Sequence, residues 1–302
     1  MPNESAKLTI VSTCPYCGSG ALVVAYRAVS HKVDRAFGPF DLFMCGECGS
    51  LGTANPPNRA RLADFYGRYA GHRPKWYNAA AADNSLSAQY RFYADFVGRH
   101  LPRPDAVWAD IGAGHGEVAS RLAKAFSSST GYAIDIGGRP PALSQQIQYI
   151  SADLNDKKWS MAIEERFDLV YAVAVVEHVL TPLDFVAECL SLLRPNGRLV
   201  LIAPDNGSLA SKLLGVRWPY FEPGEHLSVP TRRGAVACLN RAAEQAGIAG
   251  LTEISAHPLW VGYSLRYLAE VLRARPLARI IPPQVALPLP TGILATVLQR
   301  AG

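Results

Sequence analysis

The run Val107-Trp108-Ala109-Asp110-Ile111-Gly112-Ala113-Gly114-His115-Gly116-Glu117 constrains this chain more than any other stretch. Apolar residues lead into an acid, three alternating glycines follow, and Val118, Ala119, Leu122, Ala123 and Phe126 then recur at helical spacing. The pattern predicts a buried strand, a tight turn and a helix. Gly112, Gly114 and Gly116 can adopt angles that a side chain forbids, and they let the main chain approach a ligand closely.

A turn of this kind suits a nucleoside cofactor, and the surrounding acids narrow its identity. Asp110 closes the first apolar run, Asp135 closes the next (Gly131-Tyr132-Ala133-Ile134), and Asp153 follows a third, Ile147 to Ala152. A dinucleotide fold also places an acid some way after its glycines, to accept ribose hydroxyls, so Asp135 alone leaves NAD open. Asp110 discriminates, because a carboxylate just before the turn repels a pyrophosphate and suits the cationic amino-acid end of S-adenosylmethionine.

Five motifs in register carry a resemblance. They are Asp110-x-Gly-x-Gly-x-Gly116, Asp135, Ser151-Ala152-Asp153-Leu154, Phe167-Asp168-Leu169-Val170, and Leu193-Arg194-Pro195-Asn196-Gly197-Arg198-Leu199. In this order the chain resembles class I S-adenosylmethionine-dependent methyltransferases, closely over residues 106–256 and loosely to 302. The resemblance implies an α/β fold, a Rossmann-like parallel sheet with a final antiparallel strand. It also implies a cofactor site drawn from Asp110, Gly112, Ala113, Gly114, Gly116, Asp135, Ile136, Asp153, Leu154 and Ala172.

A second signal lies upstream. Cys14-Pro-Tyr-Cys17 and Cys45-Gly-Glu-Cys48 are two C-x-x-C pairs separated by 27 residues, the spacing of a zinc ribbon. Four thiolates close a tetrahedron and leave no place for water, so the reading is a structural Zn2+ ion on Cys14, Cys17, Cys45 and Cys48. Gly18, Gly46 and Gly49 are expected to supply the backbone angles of the knuckles. Two disulfides would need an oxidising compartment, which a chain without a secretory opening does not suggest. Cys189 and Cys238 read as small buried hydrophobes.

The expected organisation is a ribbon over 1–55, with strands Leu22–Val29 and Phe40–Met44, then a helical cap over 56–105. A methyltransferase domain over 106–302 follows, with an irregular active-site loop at 205–230. Thr231 is placed as the cap of the next helix, which ends near Gly247, and the last strand pair is placed at Leu251–Ala256 and Ile293–Leu298. Aromatic residues crowd the cap, Phe65, Tyr66, Tyr69, Trp76, Tyr77, Tyr90, Tyr93 and Phe96 among them. Tyr66 or Tyr69 can lie across the cofactor's sulfonium, although aromatics at helical spacing also serve as core.

The net charge of +5 is unevenly spread. Residues 1–105 carry twelve lysines and arginines against eight acids, 106–255 thirteen against sixteen, and 256–302 five against one. An acidic catalytic segment without a clustered basic face argues against a nucleic-acid substrate and leaves a small molecule. The apolar stretch Ile280 to Leu298 is interrupted by Pro282, Pro283, Pro288 and Pro290, which oppose a spanning helix. Leu265, Leu268, Ala269 and Leu272 with Arg266, Arg273 and Arg275 form an amphipathic run that can pack on the sheet or touch a membrane surface. A cytoplasmic location is expected, and the oligomeric state is left open.

Methyl transfer is an in-line displacement that mainly needs alignment, with a base where the acceptor proton has a high pKa. His178 follows the fourth parallel strand in Val176-Glu177-His178, and His226 lies in the long loop within Gly224-Glu225-His226. His178 stands equally as a base and as a histidine tied to backbone, whereas His226 is preferred for the acceptor side. Tyr220 as donor and Glu225 as orienter of an imidazole complete the catalytic set. A zinc module ahead of this domain also resembles sugar methyltransferases acting on nucleotide-linked deoxysugars, whose loop Tyr and Glu-His pair Tyr220, Glu225 and His226 match with a longer spacing. The expected acceptor is therefore a carbohydrate, nucleotide sugar or secondary metabolite. RNA methylation and a non-catalytic cofactor-binding protein, its ribbon contacting another protein, are the alternatives.

Overall fold

The computed structural model describes residues 11–302 except 33, 73–86, 142, 249, 267–268, 270–273 and 283–284, and not the side chains of 67–72, 87 and 275. The cap residues Trp76 and Tyr77, and Leu268, Leu272 and Arg273 of the amphipathic run, lie outside the described residues, as does the side chain of Tyr69. Among the described residues no helix is long and apolar enough to cross a membrane.

Strands β1 (Leu22–Val29) and β2 (Phe40–Cys45) form a hairpin, and β3 (Leu51–Thr53) continues it. Helices α1 (Arg59–His72) and α2 (Ser87–Gly98) follow. Strand and helix then alternate through β4 (Val107–Ile111), α3 (Glu117–Ala125), β5 (Thr130–Asp135) and β6 (Ile147–Ser151). The return half holds β7 (Phe167–Val173), α4 (Pro182–Ser191) and β8 (Leu193–Pro204). After it come α5 (Leu209–Leu214), β9 (Ser228–Val229), α6 (Arg232–Gln245), β10 (Leu251–Ser264), α7 (Arg275–Ile280) and β11 (Ala286–Arg300).

Seven strands form the main sheet in the order β10-β11-β8-β7-β4-β5-β6. The pairs among β4 to β8 are parallel, and β11 runs antiparallel to both β8 and β10. The chain works outward from β4 to β6 and then returns to β7, so the strand order reverses between β4 and β7. In open α/β sheets ligands bind at such a reversal, beyond the carboxyl ends of the strands.

Both faces of the sheet are covered. Val97 of α2 and Leu122 of α3 pack with Trp108, Tyr171 and Val200 on one face, while Phe185 and Leu190 of α4 and Leu239 of α6 pack with Ala109, Ile111 and Val170 on the other. Val118, Ala119, Leu122 and Ala123 are the buried stripe of α3, as their spacing predicts, and Cys189 and Cys238 are buried in the second core. Each large side chain so buried contributes about 1.5–3 kcal/mol.

The last two strands are longer than their hydrophobic cores predict. Beyond Ile293, β11 leaves β8 and pairs with β10 alone, through Leu289 with Val261 and Pro288 with Gly262. One free edge tolerates residues without an N–H, which is how Pro288 and Pro290 sit inside a strand. The loop after β8 is also less irregular than predicted, because it contains α5 and β9.

Strand β9 does not join the main sheet. It pairs with β3 through Leu51 with Val229 and Gly52 with Ser228, making a four-stranded sheet β1-β2-β3-β9. A third core lies beneath it, where Phe37, Phe40 and Leu42 meet Phe65 of α1 and Trp218, Phe221 and Leu227 of the loop. The N-terminal module is therefore built partly from the segment that follows β8.

Candidate active site

The glycine turn leaves β4 at the reversal of the sheet. Gly112 has φ +74° and its N–H donates to Ile134 O at 2.7 Å, tying the turn to β5. A Cβ on Gly112 would stand 2.4 Å from Val175 Cγ2, so the turn lies directly against the segment that follows β7. Among the described residues, its chain neighbours apart, nothing approaches within 4 Å of the corresponding position on Gly114, whose φ is +54°. That open face is where a ligand can reach the main chain.

Three carboxyl groups meet the same edge of the sheet. Asp110 is buried at the end of β4, and burial, with Asp135 nearby, pushes its pKa up to about 8 against the pull of Tyr171. Asp135 accepts the N–H groups of Gly114 and Ile136, each at 2.6 Å. Its own pKa is raised by burial, which those two bonds oppose. Asp153 accepts from Asn155 N–H at 2.9 Å and pairs with Arg59 of α1, whose Nε stands 2.9 Å from Oδ2. Arg59 also engages Asp156, so α1 is clasped to the loop beyond β6. Ile136 is exposed beside the turn, Leu154 is half-buried, and Ala172 is buried in β7.

The second cluster forms where the loop after β8 folds back over the end of β7. Glu177 O accepts the N–H of Leu227 at 2.7 Å, which brings His226 beside His178, their ring centroids 4.7 Å apart. His226 Nδ1 lies 2.7 Å from Tyr220 O and can only donate to it, leaving Nε2 with its lone pair. Burial, then the neighbouring His178, lowers the His226 pKa to about 3. His178 Nδ1 lies 3.1 Å from Glu225 O and 3.1 Å from the hydroxyl of Tyr66, which places the cap helix against this cluster. Burial likewise lowers the His178 pKa.

Glu225 and Tyr220 sit differently from their expected parts. The Glu225 carboxylate faces His31, with His31 Nε2 at 3.0 Å from Oε2, so the imidazole it holds belongs to the N-terminal hairpin. Burial works to raise the Glu225 pKa, but it is outweighed, foremost by the hydrogen bond from His31, and the group is held ionised. The Tyr220 hydroxyl pairs with that of Tyr263, and its carbonyl orients His226. His31 and Glu222, whose Oε2 lies 3.4 Å from His226 Nε2, are site neighbours that sequence reasoning missed. His31 has no local signature, being 194 residues from its partner.

The four N-terminal cysteines meet in one cluster with their sulfurs within 4.8 Å of one another. Cys14 and Cys48 are 3.6 Å apart, and Cys17 and Cys45 are 3.5 Å apart. Both separations rule out disulfides, for which about 2.05 Å is needed. They come close to the roughly 3.8 Å edge of a tetrahedron with 2.3 Å metal–sulfur bonds. Gly46 departs from expectation: it keeps an ordinary φ, and its N–H donates to Ala21 O at 2.7 Å. The cluster abuts the loop, since Thr231 Oγ1 donates to Cys48 O and Asn206 Nδ2 donates to Gly49 O at 2.9 Å.

The sheet order, the glycine turn and the acids beyond β4, β5 and β6 together define a class I S-adenosylmethionine-dependent methyltransferase. Residues 85–252, more than half of the chain, match the family model described as a methyltransferase domain, and the chain belongs to that family. The ubiquinone biosynthesis O-methyltransferase of Xanthomonas campestris pv. campestris is 28% identical over 161 residues, 49% of this chain and 65% of that protein. The mitochondrial enzyme of the same name from Schizosaccharomyces pombe is 31% identical over 113 residues, 34% of this chain and 40% of that one. The chain thus spans less than two-thirds of the length of either relative. Among solved structures, the 1,6-didemethyltoxoflavin-N1-methyltransferase of Burkholderia thailandensis, with its substrate and S-adenosylhomocysteine bound, superposes with a TM-score of 0.51. It shares 16% identity and the match covers 85% of this chain and 97% of that one. The plantazolicin methyltransferase BpumL in complex with SAH gives a TM-score of 0.51 at 13% identity, over 80% and 94% of the two chains. Both share the fold.

Proposed function

We propose that this protein methylates a hydroxyl of a small-molecule acceptor, a carbohydrate, nucleotide sugar or other secondary metabolite, with His226 as the base. The observation that carries the reading is the state of His226. Its Nδ1–H is committed to Tyr220 O, burial keeps the ring neutral, and the ring stands beside His178 in the segment that follows β7. Transfer to oxygen follows the O-methyltransferase relatives.

In this reading the turn from Gly112 to Gly116, with Ala113, holds the cofactor. Asp110 meets its ammonium and Asp135 its ribose, with Ile136, Asp153, Leu154 and Ala172 along the nucleoside and Tyr66 or Tyr69 over the sulfonium. When bound, S-adenosylmethionine supplies a methyl carbon on a sulfonium leaving group. His226 takes the acceptor's hydroxyl proton on Nε2, while the Glu225 carboxylate, held by His31, favours the imidazolium that results. His178 borders the methyl group, and Tyr220 keeps His226 in register. The cysteine cluster holds a structural zinc ion, for which the donor set and the sulfur separations fit.

Calorimetry on metal-loaded protein, followed by methyl transfer to a panel of hydroxylated acceptors, tests this. Asp135→Ala should abolish cofactor binding. His226→Ala should keep cofactor affinity and lose roughly a hundredfold or more in turnover, the usual worth of a general base. Wild-type protein that does not bind S-adenosylmethionine would overturn the cofactor assignment.

A further inference from the structure

Glu177 has no place in that scheme. It is completely buried, and among the described residues neither of its carboxyl oxygens has a hydrogen-bond partner. Orphaned polar atoms at this depth are rare and ask for an unseen partner. The surroundings indicate a cation, because one ligand atom each from Glu177, His178 and His226 lie within 4.8 Å of one another.

The imidazoles are set for such a partner. His226 donates Nδ1–H to Tyr220 O at 2.7 Å, and His178 Nδ1 faces Glu225 O at 3.1 Å. Each ring therefore turns its Nε2 away from its backbone tie; His178 Nε2 stands 3.9 Å from Glu177 Oε1, and His226 Nε2 stands 3.4 Å from Glu222 Oε2, a carboxylate at the rim of the same site. Metal-bound histidines are fixed in just this way, the second nitrogen held by a carbonyl or carboxylate. We propose that Glu177, His178 and His226 bind one divalent transition-metal ion, distinct from the ion of the cysteine cluster.

Two imidazoles and one carboxylate suit Zn2+, Fe2+, Mn2+ or Co2+ better than Mg2+, which prefers an all-oxygen shell. Bonds of about 2.0 Å set tetrahedral edges near 3.3 Å, so separations of 3.9 Å between Glu177 and His178 and of up to 4.8 Å across the set must close by roughly 0.6 to 1.5 Å when the ion binds. Glu177 holds its place through its backbone, its carbonyl accepting from Leu227 N–H at 2.7 Å, while no described residue bonds its carboxyl. Three protein ligands leave a fourth position open, the arrangement of a catalytic rather than a structural site. An acceptor oxygen can fill that position, a role that rests on the reading of this end of the sheet as the acceptor site. The ion itself does not depend on that reading. The base role of His226 is that of the metal-free protein; with the ion bound, its Nε2 lone pair is committed to the metal, and an acceptor oxygen at the open position would lose its proton more readily for being beside the ion.

Cobalt substitution of the full-length protein tests the assignment, because thiolate-to-cobalt charge transfer reports the cysteine cluster alone. Wild-type protein should take up two equivalents of Co2+, the second adding visible bands without thiolate charge transfer. Glu177→Gln, which keeps the side-chain shape, and His226→Ala should each lose the second equivalent and leave the charge-transfer band intact. That band also shows that the variants are folded around the cysteines. A single equivalent in the wild type, or a second equivalent that survives both substitutions, would overturn the proposal. S-adenosylmethionine titrated into the same samples separates the two readings: protein that binds two ions and no cofactor refutes the function above and leaves the metal site standing.

Discussion

His31 and Glu225 meet across 3.0 Å with both side chains buried, although one belongs to the β1–β2 hairpin and the other to the loop after β8. Asp34 N–H donates to His31 Nδ1 at 3.0 Å, so in the neutral ring the proton is on Nε2 and points at the carboxylate. A residue of the N-terminal module thereby sets the charge of a group beside His178 and His226.

Replacing His31 should uncouple the acceptor side from the cofactor side. His31→Ala leaves a buried carboxylate short of its donor, which costs about 1–3 kcal/mol of stability. The Glu225 pKa should rise as burial loses its opponent. We expect a lower denaturation midpoint and slower methyl transfer with S-adenosylmethionine affinity unchanged. Equal losses in both binding and turnover would show that the contact only supports the fold.

With zinc in the cysteine cluster as proposed, its removal should be felt in the loop after β8 before the glycine turn. Cys48 O accepts from Thr231, Gly49 O from Asn206, and Ser228 pairs with Gly52 in the small sheet. Chelation frees the knuckle that these bonds hold. Hydrogen exchange should accelerate over 48–53 and 205–231 and stay slow over 107–111, whereas uniform acceleration would mean that the ion supports the whole protein.

The sheet, the glycine turn and the acids at its edge were legible in the chain because their signals are local: apolar runs, alternating glycines and an acid at each run's end. Strand β9 was not, since Ser228 and Val229 carry no alternation of their own and become a strand only by pairing with Leu51 and Gly52. The extra length of β10 and β11 was hidden by Pro288 and Pro290, whose tolerance depends on which edge stays unpaired. His31 illustrates the same limit at the site. Its environment is created by a contact between distant segments, and nothing adjacent to it in sequence marks it.

Gly112 and Gly114 should respond differently to alanine, although both have positive φ. At Gly112 the new methyl meets Val175 Cγ2 at 2.4 Å, so strain and overpacking add to about 2–5 kcal/mol. At Gly114 the methyl enters open space, and only the conformational strain of about 1–2 kcal/mol remains. Gly112→Ala should lower the melting temperature markedly. Gly114→Ala should melt nearer to the wild type yet bind S-adenosylmethionine poorly, because its methyl occupies the face open to the ligand. Calorimetry and thermal melts on the two variants separate these effects, and unimpaired cofactor binding by Gly114→Ala would place the ligand elsewhere.

Asp110 should make both stability and cofactor binding depend on pH. Its folded pKa, raised from 3.8 to about 8, means that the folded protein holds a proton that the unfolded chain releases over that range. Stability contributed by this group is present below pH 4 and is lost as pH rises toward 8, at a slope of up to about 1.4 kcal/mol per pH unit. In the proposed binding mode the ammonium of S-adenosylmethionine sits beside Asp110, and it would favour the carboxylate and reverse the shift. Binding near pH 7 should therefore release a proton, and the observed binding enthalpy should change with the ionisation enthalpy of the buffer. Asp110→Asn should remove that dependence and weaken binding; a buffer-independent enthalpy in the wild type would show that Asp110 is already ionised in the free protein or does not face the ammonium.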